Sequence, residues 1–283
     1  MTDAVHKRDA SARSPFAGCA ILIAALLVMI FLIVFSVATL FRQYAEIEKF
    51  TADAPVAREA TSLDGREQEL NSLAERIENF RQQLAGDGDA LLELSVDDMN
   101  LAIAAYRPLG ELRGTMRVVS VDGGQLRLAI SFPLNGKPRL TRDDENGWIT
   151  SDPRYLNATL VTRPVLLSRE PVLRIDAIEV PGSVVPDEFV QQMSPYRIAE
   201  RYRDHEAIGP VMAKLTEVGL SNGRLVFSRK AGAEPADQIS DADVDRAGGR
   251  FFAIFGIAAS LFLVFASTVI LIGLRAKKAP RTR

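Results

Sequence analysis

Two uninterrupted apolar runs bracket the chain, and the segment between them alternates apolar and polar positions with both helical and strand periods. The runs are Phe16 to Phe41 and Phe251 to Leu274, and neither holds a charged side chain. A helix rises ~1.5 Å per residue, so about 20 apolar residues cross a ~30 Å hydrocarbon core, and each run predicts a transmembrane helix. Arg42 to Phe50 predicts a helical extension out of the first span, stopped at Asp53-Ala54-Pro55 because proline has no amide proton to donate. Leu63, Leu70, Leu73, Ile77, Phe80 and Leu84 then fall at the two apolar positions of a seven-residue repeat, with Glu67, Glu69, Glu75, Arg76, Glu78 and Arg81 on the other faces. This predicts an amphipathic helix over about residues 62–85 that docks its stripe on the domain's own sheet, with pairing to a second copy as the alternative. Gly86-Asp87-Gly88-Asp89 stops it and lacks the further oxygen ligands of a calcium loop.

From Leu91 the periods mix. Ser95-Val96-Asp97-Asp98 opens a short helix, with Ser95 as its cap and acids in its first turn, and Pro108-Leu109-Gly110 closes it. Leu126, Leu128, Ile130 and Phe132 alternate with Gln125, Arg127, Ala129 and Ser131, which with the turn Asp122-Gly123-Gly124 and the strand expected before it over Leu112 to Val121 predicts a hairpin with one buried face. Residues 135–152 are polar and turn-rich and read as a loop. Strands follow at 155–167 and 172–180, then short helices at 186–193, at 195–203 capped by Ser194, and near 208–213. Strands at 214–220 and 224–228 close the domain around Ser221-Asn222-Gly223.

The expected fold class is therefore α+β: a mostly antiparallel sheet with helices on one face, flanked by two transmembrane helices. The order is a cytoplasmic tail (1–15), a span (16–41), an amphipathic helical connector (42–90), an extracytoplasmic α+β domain (91–229), a flexible acidic linker (230–250), a second span (251–274) and a basic tail (275–283). Small residues four apart, Ala20 with Ala24 and Gly256 with Ser260, permit close packing of the spans.

Charge orients this plan. Lys7, Arg8 and Arg13 precede the first span, and Arg275, Lys277, Lys278, Arg281 and Arg283 follow the second, so both termini are expected in the cytoplasm of a two-pass cell-membrane protein. With those eight of 34 basic residues and two of 36 acidic ones removed to the tails, the rest of the chain has a net charge of −8. Such a surface argues against nucleic-acid binding and against lying flat on anionic lipid. The first run is too long for a secretory signal and lacks an Ala-x-Ala step, so an uncleaved anchor is expected. Cys19 is the sole cysteine, which excludes an intrachain disulfide. Spans without charges do not suggest an ion pathway.

The search for chemistry is mostly negative. His6 and His205 are the two histidines, so no multi-histidine zinc site can be built, and no glycine-rich phosphate loop follows a strand. Asp97 and Asp98 are adjacent and point to different helix faces. No catalytic residue, cofactor or metal is assigned. Asn157-Ala158-Thr159 matches a glycosylation triplet inside a strand, and Asp241, Asp243 and Asp245 read as a solvated tether. What stands out is Arg142, Asp143, Asp144 and Glu145 beside Trp148, the single tryptophan. Either this is a binding loop or Trp148 staples a solvated loop to the sheet.

Leu94-Ser95-Val96-Asp97-Asp98-Met99-Asn100, Arg154-Tyr155-Leu156-Asn157 and Asn222-Gly223-Arg224-Leu225-Val226 together resemble a set of uncharacterised bacterial membrane-anchored proteins with a small extracytoplasmic α+β domain. The two-span plan is also similar to that of polysaccharide co-polymerases, which control chain length in the cell envelope. The function expected is a non-catalytic envelope module that binds a protein partner or an amphipathic ligand, with or without homo-oligomerisation. A chain-length-regulating scaffold and a hydrolase assembled from distant residues are the alternatives.

Overall fold

The computed structural model describes residues 15–206 and 208–235. The second predicted span, residues 1–14 and the tether from 236 onward, including Asp241, Asp243 and Asp245, lie outside the described residues. The chain divides into two compact units, one containing the first apolar run up to Gln43 and the other beginning at Tyr44.

The first helix, α1 (Pro15–Glu48), runs through the first apolar run and its predicted extension without a break. Ala25–Glu48 is long and apolar enough to cross a membrane, with a mean hydropathy of 2.5 and none of it buried. Signal sequences near an N-terminus share that property. Its side chains are exposed at Leu27, Phe31 and Val34.

The second unit is α+β, built on two antiparallel sheets where a single sheet is the expectation. Its elements are α2 (Glu67–Ala85), β1 (Ala90–Leu94), α3 (Val96–Ala105), β2 (Met116–Asp122), β3 (Gln125–Leu140), β4 (Ile149–Leu167), β5 (Glu170–Glu179), α4 (Asp187–Met193), α5 (Gly209–Met212), β6 (Glu217–Ser221) and β7 (Arg224–Arg229). One sheet has the order β2-β3-β4-β5 and the other β1-β7-β6, with β6 lying against β4. Leu128, Ile130, Leu156 and Leu160 of the larger sheet form one core with Leu92 and Leu94 of β1, Val218 of β6, and Leu101 of α3. The opposite face of the larger sheet is partly covered by residues 54–56 over Ser131 and Asn157, and its open part is crossed by the ion pairs Arg163–Asp176 and Arg127–Glu179.

α2 starts five residues later than its apolar pattern predicts, because Gly65 turns the chain at φ 72° just before it. Leu63 therefore lies off the helix and is exposed. Leu73, Phe80 and Leu84 are buried in the domain core, with Leu70 and Ile77 packed against it. The stripe thus faces the unit's own interior, and α2 belongs to the same compact body as the strands. The α2 carbonyl end is met by cations from far along the chain: Lys214 Nζ donates to Leu84 O at 2.8 Å, and Arg229 Nη1 to Leu84 O and Gly86 O at 2.9 and 2.6 Å. Arg66 and Arg76 pair with Asp97 and Asp98, tying α2 to the start of α3.

Two expectations fail locally. No helix spans 195–203, because the Tyr196 backbone pairs with Leu173 and the Ser194 hydroxyl accepts from Ile175 N at 3.0 Å, which leaves only a short 3-10 turn at Glu200–Tyr202. The strand expected from residue 112 begins at Met116, after a 3-10 turn over Arg107–Leu112.

Candidate functional site

Residues 135–152 are not a loop. β3 continues to Leu140 and β4 resumes at Ile149, so the two strands pair far past their neighbours and form a two-stranded arm. β2 ends opposite Ile130, and β5 ends opposite Thr159. The rungs beyond belong to β3 and β4, with the bridge of Tyr155 to Ala52 and a backbone bond from Ser131 N to Thr115 O at the base. At ~3.3 Å per residue, the six steps from Arg154 to Trp148 extend about 20 Å.

The base of the arm is gripped by the chain arriving from α1. Ala52 and Tyr155 exchange backbone hydrogen bonds of 2.9 and 2.7 Å. Arg154 donates from Nε to Thr51 Oγ1 at 2.9 Å and from Nη2 to Thr51 O at 2.6 Å, and it pairs with Asp53. Asn157 Nδ2 donates to Ala54 O at 3.0 Å, its Oδ1 accepts from Val56 N at 3.0 Å, and Ser131 Oγ bonds the same oxygen at 2.8 Å. Arg58 reaches Ile130 O from Nη2 at 2.6 Å. Residues 51–58 are thus laid across β3 and β4 by side chains.

The outward edges are guarded. Tyr155 spends its N–H and C=O on Ala52, so Pro133 opposite Tyr155 sits in a pair with no mutual hydrogen bonds, and its nitrogen faces out. The two-residue alternation puts Pro153, opposite Asn135, and Pro138, opposite Ser151, at outward positions too. Each removes a donor with which another strand could pair. Between Asn135 and Pro138 the register shifts, and Gly136 is required there because a Cβ would stand 2.3 Å from Asp152 O.

At the tip, Arg139 organises the charge. Its Nη1 and Nη2 hold both Glu145 oxygens at 2.7 and 2.6 Å, and its Nε and Nη2 hold both Asp152 oxygens at 3.0 and 2.7 Å. Glu145 Oε2 also accepts from the Arg142 backbone N at 2.8 Å. The Arg139 hydrogen bonds, then that backbone bond, pull the Glu145 pKa down to about 2. Asp152 is likewise lowered, first by Arg139, and Arg139 is raised, first by Glu145. Thr141 Oγ1 donates to Gly147 O at 2.9 Å and closes the turn.

Of the five residues singled out from the sequence, Glu145 is absorbed by this network. Arg142, Asp143 and Asp144 are exposed, and among the described residues their side chains form no hydrogen bond or ion pair. Trp148 does not staple the loop to the sheet: it is 89% exposed, because the strands carry it beyond the body of the domain. Leu140 and Ile149, missed in the sequence, are 78% and 69% exposed and stand directly opposite each other. An apolar pair inside a polar stretch was the available signal.

The residues that carry the resemblance are used elsewhere, in holding the fold. Ser95 and Asp98 form a reciprocal cap, with Asp98 N donating to Ser95 Oγ at 3.1 Å and Ser95 N to Asp98 Oδ2 at 2.9 Å. Asn100 is buried and pairs with Val118 like a strand residue, through bonds of 2.8 Å to both its N–H and its C=O. Asn222 takes φ 50° in the β6–β7 turn. Among the described residues no group of three or more His, Cys, Asp or Glu side chains could hold a metal ion. No protein-family model, curated protein or solved structure matches this chain.

Proposed function

We propose that the protein is a membrane-anchored, non-catalytic binding or scaffold module, with both termini cytoplasmic, the α+β domain outside the cell membrane, and the arm tip as its contact surface. The observation that carries this reading is the exposure of Trp148, Leu140 and Ile149 together on an arm braced at its base. Large apolar side chains left in water at one end of the arm favour burial against a partner. A protein partner or an amphipathic ligand satisfies that chemistry. The span in α1 and the basic tails support the anchoring and the orientation.

The test is photocross-linking in native membranes, with a photoreactive phenylalanine analogue at position 148 and, as control, at position 174 on the solvated sheet face. The expected result is a discrete adduct from position 148 that is absent from position 174 and is lost when Leu140 and Ile149 are both replaced by Ser. Equal adducts from both positions, or none from 148, would overturn the reading.

A further inference from the structure

We propose that the open edge of β1 is the docking site for residues 237–241 of this same chain, which pair along it as an added strand. In the sheet β1-β7-β6, β6 lies against β4 of the larger sheet, whereas β1 ends the row. The two-residue turn Asn222-Gly223 makes Ser221 and Arg224 a hydrogen-bonded pair. Every second residue from Arg224 therefore bonds toward β6, and Leu225, Phe227 and Arg229 bond toward β1. Leu91 and Glu93, opposite Ser228 and Val226, are left aiming their N–H and C=O groups away from β7. Arg76 Nη1 donates to Glu93 O at 3.2 Å from that outer side, in keeping with this direction. The Leu91 N–H, the Leu91 C=O and the Glu93 N–H have no partner among the described residues. A donor, an acceptor and a donor in a row along one edge match an extended polypeptide.

A cleft lies beside this edge, walled on its far side by Asn79, Phe80 and Gln83 of α2. Asn79 and Gln83 stand one turn apart, and their side-chain amides have no partner among the described residues. Leu91 lines the near side and is 57% exposed, an apolar surface that a neighbouring strand covers.

The place where the chain leaves the domain selects the occupant. Beyond β7, Ala231 N donates to Asp89 Oδ1 at 2.7 Å, which pins the outgoing chain at the residue before β1. Eight steps separate Ala231 from Ile239, a reach of up to about 26 Å at ~3.3 Å each, whereas Leu91 is two residues past Asp89. Tethering of this kind gives an effective concentration on the order of millimolar, which a separate peptide in dilute solution does not reach. A second copy fits less well, because two β1 edges paired about Leu91 set Glu93 opposite Asp89 twice.

The sequence of the segment suits the site. Asp237, Ile239 and Asp241 alternate with Gln238 and Ser240. Run parallel to β1 with Ile239 beside Leu91, the segment uses each open group: Leu91 N–H donates to Gln238 O, Ser240 N–H to Leu91 O, and Glu93 N–H to Ser240 O. Ile239 then covers Leu91, and Gln238 and Ser240 turn toward the free amides of α2. Asp241 falls beside Glu93, where Arg224, 3.8 Å from that carboxylate, supplies a cation for both. The added strand shields an edge that otherwise offers itself to other chains.

The test is hydrogen exchange of the full chain in detergent micelles, read at the Leu91 and Glu93 amides. Both are expected to exchange at least ~10-fold more slowly than in Ile239→Asp or Ser240→Pro. The Leu92 amide, bonded to β7, should be unchanged and shows that β1 is intact. In the Cys19→Ser background, Leu91→Cys with Ile239→Cys is expected to form an intrachain disulfide on mild oxidation at any protein concentration, and Ser240→Pro should abolish it. Fast exchange at Leu91 and Glu93 in the unaltered chain, or protection that survives both variants, overturns the proposal. Protection that rises with protein concentration, with an interchain disulfide, overturns it in favour of a second copy. A Leu91→Cys variant that maleimide labels in the purified chain but not in native membranes overturns it in favour of a strand from another protein. None of these results touches the arm tip, which is read at position 148.

Discussion

Asn100 shows how far a residue's role can lie from its sequence signal. Its amide closes a gap in backbone pairing where β2 shifts register between Val118 and Ser120, 18 residues away. Nothing local announces that partner, whereas Ser95 and Asp98 were legible as a cap because both ends of the interaction lie within one turn. Asn100→Ala strands a buried N–H and C=O of Val118 and should cost about 1–3 kcal/mol in thermal unfolding of the full chain. Glu145 carries a second prediction. Its folded pKa is lowered, so what it contributes to holding the tip is present above the unfolded value of about 4.3 and is lost as pH falls toward about 2. A carboxyl titration by NMR should place Glu145 near about 2 and return it toward the ordinary range in Arg139→Gln. An unchanged value in that variant would remove Arg139 as the cause.

Among elements, α2 and the core of the larger sheet were readable because burial of one face imposes a period, of about seven residues in two helical turns or of two in a strand. The arm was hidden for the opposite reason. Past Leu134 both strands leave the body, their faces are no longer sorted by burial, and Asn135, Gly136, Pro138 and Pro153 look like turn residues. The absent helix after Ser194 was masked by competition, since the Ser194 hydroxyl that would cap it serves Ile175 instead. Leu73 lies wholly inside the domain, so Leu73→Ala should destabilise it by about 2–5 kcal/mol. The loss should not depend on protein concentration, because the residue faces its own sheets. A loss that grows on dilution would instead place Leu73 in a subunit interface.

For the whole molecule, residues 51–58 of the second unit are held to the base of the arm by bonds from Arg154 and Asn157 and by Arg58 reaching Ile130 O. The proposed topology predicts that a cysteine at Ser168, in the Cys19→Ser background, reacts with an impermeant maleimide added to intact cells, while one in either tail is protected. The reverse pattern would invert the protein. The central claim is that the arm tip, exposed in the single chain, is covered when the protein is at work in its membrane. Asn146→Cys reports on it most directly, labelled in intact membranes and again after dispersal in dilute detergent. The account predicts that Cys at 146 is protected in the membrane and reacts once dispersed, while Cys at 168 reacts equally in both. Equal reactivity of the two positions in intact membranes would contradict it.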